Sequence, residues 1–241
     1  MIPVLEIFGP TVQGEGMVAG QKTMFVRTAG CDYRCSWCDS AYTWDGSAKQ
    51  DIVSMTPEGI LHRLGEIGAD RYNHVTISGG NPALIRHLGR LVTLLHENHC
   101  AVGLETQGSV WQDWFLEIDD LTISPKPPSS GMETDFAILD EIIGHLTAHD
   151  RIERHTSLKV VVFDDDDFAY ACQVHARYPD VPCFLQVGNP DANTGATDQL
   201  VSRLLVDYER LVDRVVASPQ MNDVRVLPQL HVLVWGNKRG V

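Results

Sequence analysis

Residues 30–40 read Gly30-Cys31-Asp32-Tyr33-Arg34-Cys35-Ser36-Trp37-Cys38-Asp39-Ser40 and follow a short apolar run, Met24-Phe25-Val26, that predicts a strand. The three cysteines form a C-x3-C-x2-C pattern and lie too close together for all of them to pair as disulfides. Three thiolates on one tight loop are instead typical of a metal or cluster site. We therefore expect a fold that presents this loop at the end of a strand.

The number of thiolates narrows the kind of metal centre. Structural zinc sites usually have four protein ligands, and this loop offers three with no obvious fourth ligand nearby. A [4Fe–4S] cluster held by three cysteines keeps one iron open for an exogenous ligand. The spacing, with Trp37 directly before the third cysteine, resembles that of the radical S-adenosylmethionine (SAM) enzymes, whose open iron chelates SAM. Zinc or a redox-active thiol loop is the alternative interpretation.

The composition indicates a globular α/β chain. With 241 residues, 44% hydrophobic and 21% charged, it fits a single domain over residues 1–241. The formal net charge of −13 argues against nucleic acid or an anionic membrane as a partner. The N-terminus shows no signal peptide, and no apolar run approaches the roughly 20 residues that a membrane span needs.

The cysteine content points to a reducing compartment. Six cysteines, three of them clustered, fit the cytoplasm better than a secreted disulfide framework. Cys100, Cys172 and Cys183 are scattered in apolar segments, and we expect them to be buried free thiols.

Strands alternate with helices along the whole chain, which predicts βα units and a mostly parallel sheet. A turn-rich stretch at 9–16, a polar loop at 45–52 and four acids at 164–167 interrupt the alternation, and we interpret the acids as an exposed helix cap. The hydrophobic pattern predicts strands at 4–8, 23–28, 74–78, 101–105, 121–123, 157–163, 183–187 and 224–227, and helices at 57–68, 84–99, 110–118, 136–149, 168–178 and 198–214.

Polar, Gly- and Pro-bearing loops follow several of these strands. Because functional loops of parallel sheets lie beyond the C-terminal strand ends, we expect them to ring one rim together with the cysteine loop. They are Gly79-Gly80-Asn81-Pro82, Glu105-Thr106-Gln107-Gly108, Ser124-Pro125-Lys126 and Gln186-Val187-Gly188-Asn189.

Several motifs in the same order resemble those of the 7-carboxy-7-deazaguanine synthases, a radical SAM family of queuosine and deazapurine biosynthesis. The matches are Phe8-Gly9-Pro10-Thr11-Val12-Gln13-Gly14-Glu15-Gly16, Phe25-Val26-Arg27, Cys38-Asp39-Ser40, Ser78-Gly79-Gly80, Glu105-Thr106-Gln107-Gly108, Ser124-Pro125-Lys126 and Leu227-Pro228-Gln229-Leu230-His231. They extend over nearly the whole chain.

The resemblance implies an incomplete, modified (β/α)6-type barrel whose C-terminal segment closes the substrate side. It implies a carbon–nitrogen lyase that contracts the ring of 6-carboxy-5,6,7,8-tetrahydropterin to 7-carboxy-7-deazaguanine and releases ammonia. A reduced [4Fe–4S] cluster would cleave SAM to a 5′-deoxyadenosyl radical, with SAM reused and Mg²⁺ as a further cofactor. A homodimer and an electron donor such as flavodoxin are implied as well.

The resemblance also implies roles for individual residues. Cys31, Cys35 and Cys38 would hold the cluster, and Ser40 would ligate Mg²⁺ together with the substrate. The SAM-binding positions would be Trp37, Cys38, Asp39, Gly80, Ser124, Pro125 and Lys126. The pterin-binding positions would be Val12, Gln13, Gly14, Arg27 and Ser78, with Arg27 as the partner of the substrate carboxylate. Gln229 and His231 lie near the expected pocket and receive no role.

One departure from the superfamily pattern concerns SAM. Many radical SAM enzymes have Gly-Gly-Glu-Pro where this chain has Gly79-Gly80-Asn81-Pro82, so an amide stands in the place of a carboxylate that contacts the SAM amino group. Two alternative functions use the same cysteine pattern: an activase that installs a glycyl radical on a partner protein, and a non-catalytic Fe–S or zinc protein.

Overall fold

The computed structural model describes residues 1–241 and contains one open sheet of nine strands. The strands are β1 (Ile2–Val12), β2 (Lys22–Thr28), β3 (Val53–Met55), β4 (His74–Gly79), β5 (Ala101–Thr106), β6 (Asp120–Ile123), β7 (Thr156–Val162), β8 (Cys183–Val187) and β9 (Arg225–Leu227). They lie in the order β3-β1-β2-β4-β5-β6-β7-β8-β9. The two pairs that contain β1 are antiparallel and all others are parallel. The predicted unclosed, mostly parallel sheet is confirmed.

Helices connect most of the parallel strands, as the alternating pattern predicted, but only a 3-10 segment lies between β5 and β6, and the last helix follows β9. They are α1 (Pro57–Gly68), α2 (Gly89–Glu97), α3 (Phe136–Ala148), α4 (Ile152–His155), α5 (Asp165–Arg177), α6 (Thr197–Val216) and α7 (Leu230–Trp235). None of them combines the length and the apolarity that crossing a membrane requires.

The two faces of the sheet differ in chemistry, and β7 illustrates the difference. Leu158, Val160 and Val162 belong to the large hydrophobic core. Side chains alternate along a strand, so Lys159 points to the opposite face, where it lines a cavity. The polar face of the sheet therefore carries the candidate site, and the apolar face anchors the helices.

Several element predictions were wrong in extent. Strand β1 continues to Val12 through the predicted turn-rich stretch, because it pairs with β2 as far as Val12–Lys22 across a register shift after Phe8. The predicted helix at 110–118 is only a 3-10 segment, Asp113–Glu117, since Gln112 is extended. The helix predicted from residue 84 begins at Gly89, after two 3-10 turns.

Short elements escaped prediction because they are too short to show a period. Strand β3 has three residues and forms only by pairing with β1, and helix α7 has six. The acids at 164–167 do cap α5, because the Asp164 carboxylate accepts from the Asp167 amide at 3.0 Å, but Asp167 is fully buried and not exposed. All six cysteines are free; Cys100 and Cys183 are buried as predicted, whereas Cys172 is only half-buried.

Candidate active site

The cysteine loop leaves the C-terminal end of β2 without regular secondary structure and is held by backbone hydrogen bonds to its neighbours. Gly30 donates to the Thr43 carbonyl at 2.9 Å and accepts from the Asn81 amide at 2.8 Å. Ser36 donates to the Ser130 carbonyl at 2.9 Å. The loop is therefore fixed at its start and in its middle, in part by segments that follow β4 and β6.

Gly79 and Gly80 allow the next strand-end loop to contact the cysteine loop directly. A Cβ on Gly80 would lie 2.1 Å from the Gly30 carbonyl oxygen, and one on Gly79 would lie 2.1 Å from that of Thr28. Gly79 also has a φ of +126°, which side-chain-bearing residues rarely adopt. Any side chain at either position would push the two loops apart.

Cys31, Cys35 and Cys38 are half-buried, unpaired and line one cavity. Burial raises the pKa of the Cys31 thiol, and burial raises that of Cys35 to about 11 although the nearby Lys126 ammonium opposes it. Thiols with raised pKa become thiolates when a metal coordinates them. Three convergent thiols that open onto a cavity fit a [4Fe–4S] cluster with one free coordination position.

Residues that follow β6 also line this cavity, next to Trp37 of the cysteine loop. The Lys126 ammonium donates to the Ser124 hydroxyl at 3.1 Å and lies 5.9 Å from the centre of the Trp37 ring, and burial lowers the pKa of Lys126. The Trp37 indole donates to the Ser129 hydroxyl at 3.0 Å, and the Ser129 amide donates to the buried Asp167 carboxylate at 3.0 Å. The acidic cap of α5 thus positions the cavity wall indirectly.

The predicted cofactor and substrate residues lie in two adjoining cavities. The first contains the three cysteines together with Trp37, Asp39, Gly80, Ser124 and Lys126. Pro125 does not line it. The second contains the predicted pterin positions Val12, Gln13, Gly14, Arg27 and Ser78. Glu15, Asp39, Ser40, Gly79, Glu105 and Asn189 line both cavities and form their boundary.

A partly buried charge network lies at this boundary. The Lys159 ammonium hydrogen-bonds the Glu15 carboxylate and lies 3.9 Å from that of Glu105. Gln229 and Gln13 donate to these two carboxylates at 2.9 and 3.1 Å respectively. Burial alone would raise the pKa of Glu15 and lower that of Lys159, but their attraction outweighs it, so the Glu15 pKa falls and the Lys159 pKa rises.

The sequence motifs predict no role for Lys159 or Glu15. Lys159 stands alone between Leu158 and the apolar run Val160-Val161-Val162. Because an unpaired charge is rarely buried in a strand, this position could have indicated a buried partner of opposite charge.

Arg27 lines the second cavity but already contacts other side chains. Its Nε lies 3.0 Å from the Glu6 carboxylate, and its guanidinium donates to the Tyr42 hydroxyl. Burial raises the pKa of Tyr42 to about 12 although the Arg27 charge opposes it. Glu6 also accepts from Arg239 at 3.0 Å, and residues 236–241 line this cavity, so the C-terminal segment lies beside the predicted pterin positions.

Ser40 contacts one member of a group of possible oxygen and nitrogen ligands near the boundary. The Ser40 hydroxyl donates to the Asp39 carboxylate at 3.1 Å. One ligand atom each of Glu15, Asp39 and His231 lies within 4.8 Å of the others. Gly14 makes room for His231, because a Cβ there would lie 2.2 Å from the imidazole Nδ1.

Asn81 is buried, and both ends of its side chain are hydrogen-bonded within the chain. Its oxygen accepts from the Ala83 amide at 3.2 Å and the Thr106 hydroxyl at 2.9 Å. Its nitrogen donates to Asp32 and to Ser109, each at 3.0 Å. It does not line the first cavity, so the amide does not replace the missing carboxylate as a cavity contact.

Comparison with known proteins agrees with this arrangement. The sequence model of the radical SAM superfamily matches residues 25–159. The 7-carboxy-7-deazaguanine synthases of Bacillus cereus and Bacillus subtilis are each 62% identical over 240 residues, an overlap that covers 100% of this chain and 99% and 98% of the two relatives.

Solved structures share the fold. The crystal structure of QueE from Escherichia coli has a TM-score of 0.68 at 23% identity and matches 95% of this chain and 94% of its own. That of Streptococcus suis SuiB bound to S-adenosylmethionine has a TM-score of 0.54 at 11% identity, over 82% of this chain and 48% of its own.

Proposed function

Because the chain belongs to the radical SAM superfamily and, within it, to the family of the 7-carboxy-7-deazaguanine synthases, we propose that it contracts 6-carboxy-5,6,7,8-tetrahydropterin to 7-carboxy-7-deazaguanine and releases ammonia. The product is a precursor in queuosine and deazapurine biosynthesis. The observation that carries the proposal is the pair of adjoining cavities, one with the three thiols and one with the predicted pterin positions.

Cys31, Cys35 and Cys38 would hold the [4Fe–4S] cluster, and Trp37, Asp39, Gly80, Ser124, Pro125 and Lys126 would surround SAM. When bound, the reduced cluster and SAM supply radical abstraction of a hydrogen atom. Lys126 is the one cation among these SAM positions, and Trp37 offers an aromatic wall held by Ser129. The protein itself contributes orientation and the exclusion of other hydrogen donors.

The second cavity would bind the pterin. Arg27 is suited to the substrate carboxylate because a guanidinium donates two parallel hydrogen bonds to such a group. Val12, Gln13 and Gly14 border the same space, and Ser78 lies there at the end of β4. A substrate there would lie across the Glu15–Glu105 boundary from SAM, which is the relation that hydrogen transfer between two bound molecules requires.

Mg²⁺ would bind at the boundary through the Ser40 hydroxyl and the substrate. A hard cation prefers oxygen ligands, and the hydroxyl lies where both cavities meet. The nearby Asp39 carboxylate adds negative charge to the same place.

We propose further that the chain acts in the cytoplasm as a homodimer of single-domain subunits spanning residues 1–241. An electron donor such as flavodoxin would reduce the cluster. The free cysteines support a reducing compartment, and the net charge of −13 supports small-molecule rather than nucleic-acid partners.

The test is turnover by anaerobically reconstituted, reduced protein with SAM, Mg²⁺ and 6-carboxy-5,6,7,8-tetrahydropterin, followed by mass spectrometry. A product lighter by one ammonia, formed without stoichiometric loss of SAM, is the expected result. If SAM is cleaved but the pterin stays unchanged, the assigned substrate is wrong and the glycyl-radical activase is favoured. No cleavage by iron-replete protein would overturn the radical reaction itself.

A further inference from the structure

Asp32, Asn81 and Gln107 form a hydrogen-bond network beside Cys31, and the proposed reaction gives this network no role. The Asp32 carboxylate, next to Cys31 in sequence, accepts from the Asn81 amide at 3.0 Å and from the Gln107 amide through the same oxygen. Asn81 and Gln107 are buried, with 1% and 5% of their surface exposed. Asn81 follows β4 and Gln107 follows β5, so the network links these two loops to the cysteine loop after β2.

The same Gln107 amide nitrogen also contacts the sulfur of Cys31. The Nε2–Sγ distance is 3.7 Å, and the Tyr33 backbone amide donates to this sulfur at 3.4 Å. An amide has two N–H groups, so Gln107 can donate to Asp32 and to the sulfur at once. Asp32 therefore fixes the orientation in which Gln107 faces Cys31.

We propose that Gln107 is a positioning residue that tunes the iron–sulfur centre through the Cys31 sulfur, and that Asp32 and Asn81 hold it in place. The inference rests on the cluster of the proposed function but not on the identity of the pterin substrate. It also assigns a purpose to the amide at position 81, which donates to the Asp32 carboxylate.

The direction of the tuning follows from charge. A reduced cluster carries one more negative charge than an oxidised one, so an N–H donor at a ligand sulfur favours reduction and a nearby carboxylate opposes it. Gln107 and Asp32 thus have opposite effects on the potential although they belong to one network. A role limited to folding would not produce shifts of opposite sign at equal iron content.

One oxygen of Asp32 accepts from both amides, so a neutral side chain of the same shape can keep both contacts. In Asp32→Asn the amide oxygen takes this place and still accepts from Asn81 and Gln107, so the negative charge is removed while Gln107 stays oriented toward Cys31. In Asn81→Asp, by contrast, two carboxylates would face each other across the present 3.0 Å contact and repel.

The experiment is an EPR-monitored redox titration of reconstituted protein without substrate. Gln107→Met, which keeps length and removes the donor, should lower the reduction equilibrium constant about tenfold, or about 59 mV for one electron. Asp32→Asn should shift the potential in the opposite direction. Gln112→Met is the matched control, because Gln112 donates to the Ala83 carbonyl at 2.6 Å and touches no cysteine. If the reduction potential of Gln107→Met is unchanged at full iron content, the inference is overturned.

Asp32→Asn gives the second measurement if Gln107→Met does not retain its cluster. This variant keeps both hydrogen bonds at position 32 and removes only the negative charge, so its reduction potential should rise at full iron content. An unchanged or lower potential in Asp32→Asn would overturn the inference. A wild-type protein without any iron-dependent signal would instead overturn the proposed function, so the two failures are distinguishable.

Discussion

The Nε atom of Arg27 lies 3.0 Å from the Glu6 carboxylate, yet neither of the two facing atoms makes a hydrogen bond, and both are buried. The pair is close enough for Coulomb attraction but is not aligned for donation. Arg239 also donates to Glu6 at 3.0 Å and stacks 4.1 Å from the centre of the Tyr42 ring. Two guanidinium groups therefore share one carboxylate, so this group of three side chains carries one net positive charge.

The first prediction concerns Arg27. Arg27→Met should raise the KM for 6-carboxy-5,6,7,8-tetrahydropterin roughly 10- to 100-fold, because a hydrogen bond to a charged group contributes about 1.5–3 kcal/mol. Steady-state kinetics with reconstituted protein checks it.

Glu6→Gln is the matched comparison for Arg27. It removes the competing carboxylate and leaves the guanidinium in place, so the KM should fall. An unchanged KM in Arg27→Met would mean that Arg27 only pairs with Glu6.

The second prediction concerns the cluster ligands. Cys35→Ala should abolish both the iron-dependent visible absorption and the cleavage of SAM, because three thiolates are the minimum that leaves only one iron open. Cys172→Ala is the control: Cys172 is a free, half-buried thiol on α5 and should leave absorption and cleavage unchanged. SAM cleavage that persists in Cys35→Ala would remove Cys35 from the cluster.

The architecture was predictable because its causes are local in sequence. Strong alternation between apolar strands and amphipathic helices indicated parallel βα units, and the C-x3-C-x2-C spacing marked one strand end as a metal site. Once the sheet is parallel, its strand ends share one edge, so the loops after β4, β5 and β6 could be expected near Cys31 before any distance was known.

Contacts between distant polar residues could not be predicted in the same way. Lys159 and Glu15 are 144 positions apart, and only the folded sheet shows that their charges compensate each other. Arg27 lies opposite Glu6 because of the register of β1 against β2. That register shifts between Val4 and Glu6, so the pairing cannot be read from the two strand sequences. Helix α7 depends on packing, because six residues carry no period of their own.

The third prediction concerns Mg²⁺. Ser40→Ala should weaken the stimulation of turnover by Mg²⁺ several-fold while the iron content stays unchanged, since only an oxygen ligand is lost. Turnover across an Mg²⁺ titration checks this expectation.

The variant Asp39→Asn tests whether the Asp39 carboxylate or the Ser40 hydroxyl is the Mg²⁺ ligand. The Asp39 carboxylate accepts from the Ser40 hydroxyl and lies beside Glu15 and His231. If Ser40→Ala kept the full Mg²⁺ dependence and Asp39→Asn lost it, the carboxylate and not the hydroxyl would be the ligand.

The fourth prediction concerns the Lys159–Glu15 pair and its dependence on pH. In the native chain Lys159 lowers the Glu15 pKa, so the pair stabilises the fold above the ordinary carboxyl pKa and loses this contribution only as the pH falls below it. In Lys159→Met only His231 and the Gln229 hydrogen bond still oppose the effect of burial, so the Glu15 pKa rises from its native value. The variant should therefore lose roughly 3 kcal/mol of unfolding free energy near pH 8 and clearly less near pH 5, where Glu15 can take up a proton.

Urea unfolding of the cluster-loaded protein under anaerobic conditions measures this difference at the two pH values. Glu15→Gln in the Lys159→Met background is the control, because a neutral amide still accepts from Gln229 and needs no counter-charge. It should recover stability at the higher pH and remove the difference between the two pH values. If Lys159→Met lost the same unfolding free energy at both pH values, the protonation of Glu15 would not depend on the Lys159 charge.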